Sequence, residues 1–546
     1  MMTTKFAGNS LWYNYKYDFL ILFFLMSMIY IPILSFELFG IERSVSRALS
    51  SLIYILPICF LCVGIKNKWV YVFFSGLLML FSVIEMSMIK IYGCYVAAGN
   101  ILSIYNTTSN EAGGFIVGNY KSLFFSIPII ACWIVSLYFR YKSKKINYKA
   151  NLFLAVMFML FSVLFVSYVM IVKWEGNINV VSYLKKNVLE RHPYNVGYQF
   201  YQAYSQLEKR KYITEADNMS FGAKRPEYKN KEIYVLAVGE SLKYENLSIG
   251  GYKRETTPLL ASLDNLILCP DYYSTANITM YSVPQILTRA TVNDFDLNYK
   301  EKSIFKPYKE CGFKTFVICA GNLLCENTYK YLSTGCDSLL SLTIYDDDKI
   351  SEKIDSLSSI YSKTFFVVQF MGNHSPYENF QKEQNVYRPN PVYDNVGWDN
   401  HSALVNAYDN TILYSDLNIY NIIKAIDKDD VQSGFIMVSD HGVDYNNGAG
   451  DHGRSWNPQK SEYHVPLFFW YSDVWGKNHN KKKANFIKNK KRPINADNVF
   501  YTVCDMADIT IHKNYSKKQW SLFCDRMENH ERYLLLPDGI TKIQLQ

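Results

Sequence analysis

Along the first third of the chain, apolar residues run on with little polar interruption. Five stretches, 18–40, 47–65, 69–92, 122–140 and 151–173, are apolar enough to cross a bilayer as helices, which takes about 20 residues each. A cleaved signal peptide accounts for one such stretch, not for five. Beyond residue 230 the pattern changes to short runs rich in Val, Ile and Phe, clearest at 233–238, 314–319, 364–371, 435–438 and 465–471, separated by helical stretches. Short continuous apolar runs that alternate with helices predict parallel strands of a doubly wound sheet, covered on both faces. Residues 174–230 mix short helical patterns with polar residues. The chain therefore reads as α/β: a five-span transmembrane domain over 1–173, an interfacial connector over 174–230, and a globular domain over 231–546 with a mainly parallel sheet flanked by helices.

The loops carry an orientation signal, because Lys and Arg near the ends of spans stay cytoplasmic. Lys5 and Lys16 precede the first span, Lys66 and Lys68 separate the second and third, and Arg140, Lys142, Lys144, Lys145 and Lys149 crowd the loop between the fourth and fifth. The loop at 93–120 has one acidic residue and no basic one, which assigns it to the opposite face. An odd number of spans then exports everything after residue 173. With 49% hydrophobic and 19% charged residues, the chain is neither disordered nor collagen-like nor a small disulfide scaffold. The net charge of +8 has a local source at 477–492, where eight of sixteen residues are Lys or Arg. That segment reads as a solvated loop or, more sharply, as a surface for anionic lipid headgroups. Export argues against nucleic acid as a partner. It also permits disulfides among seven of the eleven cysteines, with Cys325–Cys336 and Cys504–Cys524 as the suggested pairs.

The polar residues just past each predicted strand carry the chemistry. Gly239-Glu240-Ser241, Gly372-Asn373-His374 and Ser439-Asp440-His441-Gly442 each come directly after an apolar run, and in parallel sheets ligands bind beyond the carboxyl ends of the strands. Glu240, His374, Asp440 and His441 are thus expected in one crevice, as the oxygen and imidazole donors that a divalent metal such as Zn²⁺ takes. The segment 275–284 adds the hydroxyls of Thr275, Thr279 and Ser282 before a predicted helix. A hydroxyl beside a cation at a helix start is placed to ionise and receive a phosphoryl group. The residues alone do not choose among the three.

These motifs resemble those of bacterial phosphoethanolamine transferases, membrane enzymes of the alkaline phosphatase and sulfatase superfamily. Val238-Gly239-Glu240-Ser241, Asn246-Leu247-Ser248 and Gly251 to Pro258 resemble their metal-binding opening, and Thr279-Met280-Tyr281-Ser282-Val283-Pro284 resembles their nucleophile segment. Gly372 to Tyr377, Tyr408 to Asp416, Ser439 to Gly442, Asp451-His452-Gly453 and His464-Val465-Pro466 match the rest of the pattern. The resemblance implies that Glu240, Thr279, Asp440 and His441 hold one tightly bound zinc. It makes Thr279 the nucleophile that becomes phosphoethanolamine-modified, and gives His374 and His452 contact with the phosphoryl group or with a second zinc. It implies phosphatidylethanolamine as donor, membrane lipids as surroundings, and lipid A, the lipopolysaccharide core, another glycan or another envelope molecule as acceptor. Ser103, Thr107 and Glu111, spaced by four and so on one face of a helix, would receive the lipid headgroup, and Asn322 would bind substrate. The implied location is the bacterial inner membrane, with the catalytic domain in the periplasm.

Three departures bear on the acceptor. Thr275 and Gln285 stand where lipid A-modifying members often carry bonded cysteines, Gln369 replaces a common histidine, and the interval from His441 to His452 is one residue short. The rival readings are a phosphoglycerol transferase of the lipoteichoic acid synthase type and a non-catalytic membrane sensor that keeps the fold. His192, His401, His479, His512 and His530 lie outside the strand-end clusters and read as packing or surface residues.

Overall fold

The computed structural model describes residues 8–39, 45–107, 109–143, 146–172, 184–321, 325–343, 346–445, 452–455 and 457–545. The chain forms two compact units, Met1–Ala97 with Asn119–Gln202 and Ala98–Gly118 with Ala203–Gln546.

The first unit is helical. It contains α1 (Gly8–Phe39), α2 (Val45–Val63), α3 (Lys68–Tyr92), and, after α4 (Ala98–Asn106) and α5 (Ser109–Leu123), α6 (Ile127–Lys142) and α7 (Tyr148–Val172). Helix α1 packs against α2, α3 and α6, and α2 packs against α7. Ile21, Leu25, Met28, Ile29 and Ile33 of α1 recur every three or four residues, the spacing that puts side chains on one helical face. They meet Ile55 and Cys59 of α2, Tyr71 and Leu78 of α3, and Ile129 of α6. Among the described residues, four helical stretches have the length and composition to cross a membrane: Tyr15–Glu37, Lys68–Tyr92, Asn119–Lys142 and Tyr148–Tyr168. The fifth expected span is α2, whose apolar part, Ala48–Val63, is shorter.

The second unit is built on a seven-stranded sheet of order β2-β8-β7-β1-β6-β4-β5. Its strands are β1 (Lys231–Gly239), β2 (Leu266–Cys269), β4 (Lys314–Cys319), β5 (Ser338–Ser341), β6 (Lys363–Gln369), β7 (Val431–Ser439) and β8 (Leu467–Tyr471), and two small pairs add β3 (Tyr272–Tyr273) with β9 (Ile494–Asn495) and β10 (Arg532–Leu535) with β11 (Lys542–Leu545). Strands β1, β4, β5, β6 and β7 are parallel. Their runs are apolar on both faces because helices cover both, and β1 is buried from Glu232 onward. The expectation of a parallel strand at 465–471 is corrected: β8 runs antiparallel to β7. Among the described residues between β7 and β8 the chain forms only the short turn Lys460–Glu462, and β8 pairs with the edge of β7 that faces away from β1.

The expected Cys504–Cys524 disulfide is also corrected. Both are free thiols, as is Cys336, while the Cys325 side chain lies outside the described residues. Cys504 is buried in the helix Val499–Met506, and Asn489 donates to the Cys524 carbonyl at 2.8 Å. The basic run at 477–492 spends several of its charges internally. Lys482 pairs with Asp505 at 2.7 Å, Lys488 with Asp525 at 3.7 Å, and Arg492 donates to the Met527 carbonyl.

Candidate active site

Register brings the first ligands together. Gly239 of β1 lies opposite Ser439 of β7, so the next residues, Glu240 and Asp440, leave the sheet side by side. With His441 they form a buried group whose ligand atoms lie within 4.8 Å of one another. His441 donates from Nδ1 to the Gly442 carbonyl at 2.9 Å, which leaves the Nε2 lone pair facing inward, 3.3 Å from Glu240 Oε1 and 3.5 Å from Asp440 Oδ2. An imidazole whose other nitrogen is held by a carbonyl is the usual arrangement of a metal ligand. Asp440 Oδ1 accepts the N–H groups of His441 (2.7 Å) and Ser241 (3.2 Å), and Glu240 Oε1 accepts the Ser241 hydroxyl at 2.8 Å. Ser241 has φ of 60°, a left-handed conformation that non-glycine residues rarely adopt and that clusters at functional sites. Burial and the neighbouring Glu240 push the Asp440 carboxyl above the usual carboxylate range. Two buried carboxylates and an imidazole lone pair are a donor set that a divalent cation satisfies and neutralises.

Geometry separates the three hydroxyls. Thr279 opens the helix Thr279–Leu287, and its Oγ1 lies 3.3 Å from Glu240 Oε2 and 3.2 Å from His441 Nε2. The Ser282 hydroxyl donates back to the Ile278 carbonyl at 3.1 Å. The Thr275 hydroxyl is buried with no hydrogen-bond partner among the described residues. The His452 ring stacks on His441, centroids 4.2 Å apart. His374 donates from Nδ1 to the Ser375 carbonyl at 2.6 Å, and both His374 and His452 act electrostatically on Glu240.

The remaining motif residues form the frame. Asp409, in the helix His401–Ile426, accepts Asn246 (2.6 Å), Tyr252 (3.0 Å) and Arg254 (2.8 Å). Asp416, two turns on, accepts the N–H groups of Leu259 and Leu260. One helix thus clamps the segment after Glu240. Asn373 ties the loop of His374 to the same helix, through Thr411 (2.7 Å) and Ser415 (3.1 Å). Gly372 allows this approach, since a Cβ there would lie 2.7 Å from Ser415 Oγ. Lys243 is buried over the Tyr445 ring at 3.8 Å, and burial brings its ammonium down to about 8.

Glu462 is a further hub that the sequence did not mark, because nothing around it resembles a motif. Its carboxylate accepts Asn277 Nδ2 (2.9 Å), the Arg454 N–H (3.3 Å) and the Gln459 N–H (2.8 Å), and its carbonyl accepts the Gly442 N–H (2.8 Å). It therefore links the loops of Thr279, His452 and His441. Burial raises its carboxyl to about 7.

The loop residues are placed differently. Ser103 lies in α4 and Thr107 just beyond it, and their hydroxyls donate back to the Gly99 and Ser103 carbonyls. Glu111 lies in α5, so the single helical face expected for the trio is interrupted between the two helices. The Glu111 side chain and Asn322 lie outside the described residues. Helix α4 nevertheless belongs to the sheet unit. Ala98 and Leu102 pack with Ile278, Met280 and Tyr281, and the Gly99 N–H donates to the Pro537 carbonyl at 2.7 Å. A Cβ on Gly99 would lie 2.4 Å from Ile278 Cδ1. The small pair Ala98-Gly99 was the available signal. Gln369 is buried, accepts the Tyr329 hydroxyl and donates to the Phe370 carbonyl at 3.0 Å.

This fold and site are those of a known class. The sulfatase family model matches residues 232–509, and the chain belongs to that family. Among curated relatives it is 26% identical over 295 residues to the phosphoethanolamine transferase EptC of Escherichia coli, covering 50% of this chain and 51% of the relative. The chain spans about half the length of the curated relatives it matches. Among solved structures it is similar to the integral membrane lipooligosaccharide phosphoethanolamine transferase A (EptA) of Neisseria meningitidis, with TM-score 0.68 and 18% identity over 92% of this chain and 97% of that one. The periplasmic domain of Escherichia coli EptC, solved in complex with Zn, matches with TM-score 0.52 and 22% identity over 58% of this chain and 92% of that one.

Proposed function

We propose that the protein transfers phosphoethanolamine from phosphatidylethanolamine to a membrane-associated acceptor, lipid A or the lipopolysaccharide core, through a phosphoethanolamine–Thr279 intermediate. The observation that carries this reading is the Thr279 hydroxyl at the start of a helix, within 3.3 Å of both Glu240 and His441. Glu240, Thr279, Asp440 and His441 would hold one zinc, with His374 and His452 at the phosphoryl group or a second zinc. Bound there, the ion supplies positive charge that favours the threonine alkoxide and offsets charge on the phosphoryl oxygens.

In the first step Thr279 Oγ1, its proton already released to solvent, forms a bond to phosphorus, the bond to the diacylglycerol oxygen breaks, and an imidazolium, His374 or His452, gives that oxygen its proton. In the second, the acceptor hydroxyl forms the new P–O bond, returns a proton to the imidazole, and Thr279 leaves. The helix start at Thr279 orients backbone N–H groups toward the transferred phosphate. Ser103, Thr107, Glu111 and Asn322 are proposed as contacts for the donor headgroup. The same reading takes 1–173 as a five-span domain in the bacterial inner membrane, 174–230 as connector, and 231–546 as a periplasmic catalytic domain. The similarity to EptA over 92% of the chain supports it.

The test uses detergent-purified full-length protein with zinc and phosphatidylethanolamine carrying a fluorescent acyl chain. Release of labelled diacylglycerol, with a phosphoethanolamine mass on the peptide containing Thr279 and both lost in Thr279→Ala, is the expected result. Cleavage of phosphatidylglycerol instead would hand the site to phosphoglycerol transfer. A folded, zinc-free protein that cleaves neither would make it a sensor.

A further inference from the structure

Strands β10 and β11 pair antiparallel from Arg532 with Leu545 to Leu535 with Lys542, and the turn between them, 536–541, bonds to itself. The Leu536 N–H donates to the Thr541 carbonyl and the Gly539 N–H to the Leu536 carbonyl, both at 2.9 Å. Asp538 accepts the N–H groups of Ile540 (2.9 Å) and Thr541 (2.8 Å), the bonding of an Asx turn. The shape of the turn is thus set locally.

The hairpin meets the nucleophile segment both before and after Thr279. Before it, the Leu535 N–H donates to the Thr275 carbonyl at 2.7 Å, and Leu535 bridges in parallel to Ala276. The Pro537 carbonyl accepts the Gly99 N–H at 2.7 Å, and Gly99 lies against Ile278, the residue just before Thr279. After it, Gly539 lies against the Tyr281 hydroxyl. Its φ of 68° suits glycine, and a Cβ there would stand 2.6 Å from that oxygen. Tyr281 is buried, its hydroxyl accepts Gln206 Nε2 at 2.9 Å, and its ring meets Phe295 edge-on with centroids 5.3 Å apart. A side chain at 539 would therefore push Tyr281, and with it the first turn of the helix that Thr279 opens.

The same segment is tied separately to the loops of the metal cluster. The Ser274 hydroxyl donates to the Asp440 carbonyl, and Asn277 Nδ2 donates to Glu462 at 2.9 Å. Thr279 is thus placed by two sets of contacts, one from those loops and one from the hairpin. An attacking hydroxyl must stand in line with the bond that breaks, and a displacement of about 1 Å costs about 100-fold in rate. The contacts of the hairpin are with 275–281 and with Gly99, so its influence on the reaction passes through the segment. We infer that the turn between β10 and β11 is a clasp that positions the nucleophile, with Gly539 as the positioning residue that sets Tyr281 and through it Thr279. The effect on rate rests on the transfer reading above; the hold on the segment does not.

The experiment has two arms on full-length protein in detergent. In the first, hydrogen–deuterium exchange read by mass spectrometry compares peptides covering 275–287 and 434–442. Gly539→Ala speeds exchange over 275–287 at least fivefold and leaves 434–442 within twofold. Ile540→Ala, at an exposed side chain of the same turn, changes neither. In the second, single-turnover diacylglycerol release from fluorescent phosphatidylethanolamine is followed against donor concentration. Gly539→Ala lowers the limiting rate at least tenfold, with the half-saturating donor concentration and the zinc content within twofold. Adding Tyr281→Phe, which removes the oxygen that the new methyl group meets, restores the rate at least threefold. Unchanged exchange over 275–287, a limiting rate within twofold of the unaltered protein, a loss in half-saturation alone, or no rescue by the second substitution would overturn the inference. An unaltered protein that releases no diacylglycerol would sink the transfer reading, and the first arm would still decide whether the hairpin holds the segment.

Discussion

The two units use the same apolar residues in opposite directions. In the sheet unit Leu236 is 0% exposed, whereas in the helical unit Leu164 is 66% and Phe153 69% exposed. In exchange, the helical unit buries charged and polar groups in its interior. Asp18 accepts the Asn147 N–H and the Asn151 amide, Glu85 accepts the Val96 N–H (2.9 Å) and Asn195 Nδ2 (2.8 Å), and Glu37 pairs with Arg191 at 2.5 Å. A lipid-facing surface is solved by hydrocarbon, so polar groups in such helices turn inward and pair with one another. The sheet unit also buries charge, but gathers it at strand ends, in Glu240, Asp440 and His441. Burial in the first case holds helices to loops; in the second it prepares a site.

The largest test of that difference is one substitution made twice. Leu236→Ala in β1 should cost about 2–5 kcal/mol, and Leu164→Ala in α7 no more than about 0.5 kcal/mol, measured as melting of the full-length protein in detergent. Equal costs would mean that the α7 surface packs against protein rather than lipid. Next comes removal of buried carboxylates. Glu85→Ala leaves two donors unpaired and should cost about 1–3 kcal/mol. Asp440→Ala in chelator-treated protein should leave melting unchanged or raised, because it removes a charge buried beside Glu240, while abolishing zinc uptake read by elemental mass spectrometry. A destabilised Asp440→Ala would make that cluster structural.

Glu462→Gln probes the frame between these extremes. An amide turns one end of an acceptor-only carboxylate into a donor facing N–H groups. Single-turnover diacylglycerol release should fall about 10- to 100-fold, or roughly 1.4–2.7 kcal/mol, with melting and zinc content retained; unchanged release would mean that the loops hold one another without it. The smallest effect concerns pH. Burial opposes ionisation of Asp508, but hydrogen bonds with His479 (2.6 Å), Lys482 and Tyr228 (2.6 Å) prevail and hold its carboxyl well below the usual range. Its contribution is therefore full above the unfolded value near 4 and lost as pH falls toward the depressed folded value. Asp508→Asn should remove about 1 kcal/mol at pH 7 and flatten acid destabilisation below pH 4, read from melting against pH; parallel curves for the two proteins would refute it.

How far the site was legible depended on whether its residues sit next to a strand. Glu240 and Asp440 come immediately after β1 and β7, so the apolar runs that locate the strands also locate them. His374, five residues past β6, was found by the same logic. Periodicity and spacing left Thr279 as one of three hydroxyls, and only the family resemblance singled it out; the structure adds that Ser282 satisfies itself within its helix, that the Thr275 hydroxyl is buried without a partner among the described residues, and that Thr279 lies beside Glu240 and His441. Glu462 and Asn277 left no trace, since they pair across 185 residues of sequence.

Local order of residues was enough to determine the apolar helices, the parallel core strands and the three polar clusters that end them, because each is set by hydrophobic period and by the residues adjoining a run. Tertiary structure decided the rest: β8 runs antiparallel, Cys504 and Cys524 stay apart, and α4 joins the sheet unit by laying Gly99 against Ile278 and Pro537. Those outcomes depend on which surfaces meet in the folded unit, and such tertiary contacts carry no local signature.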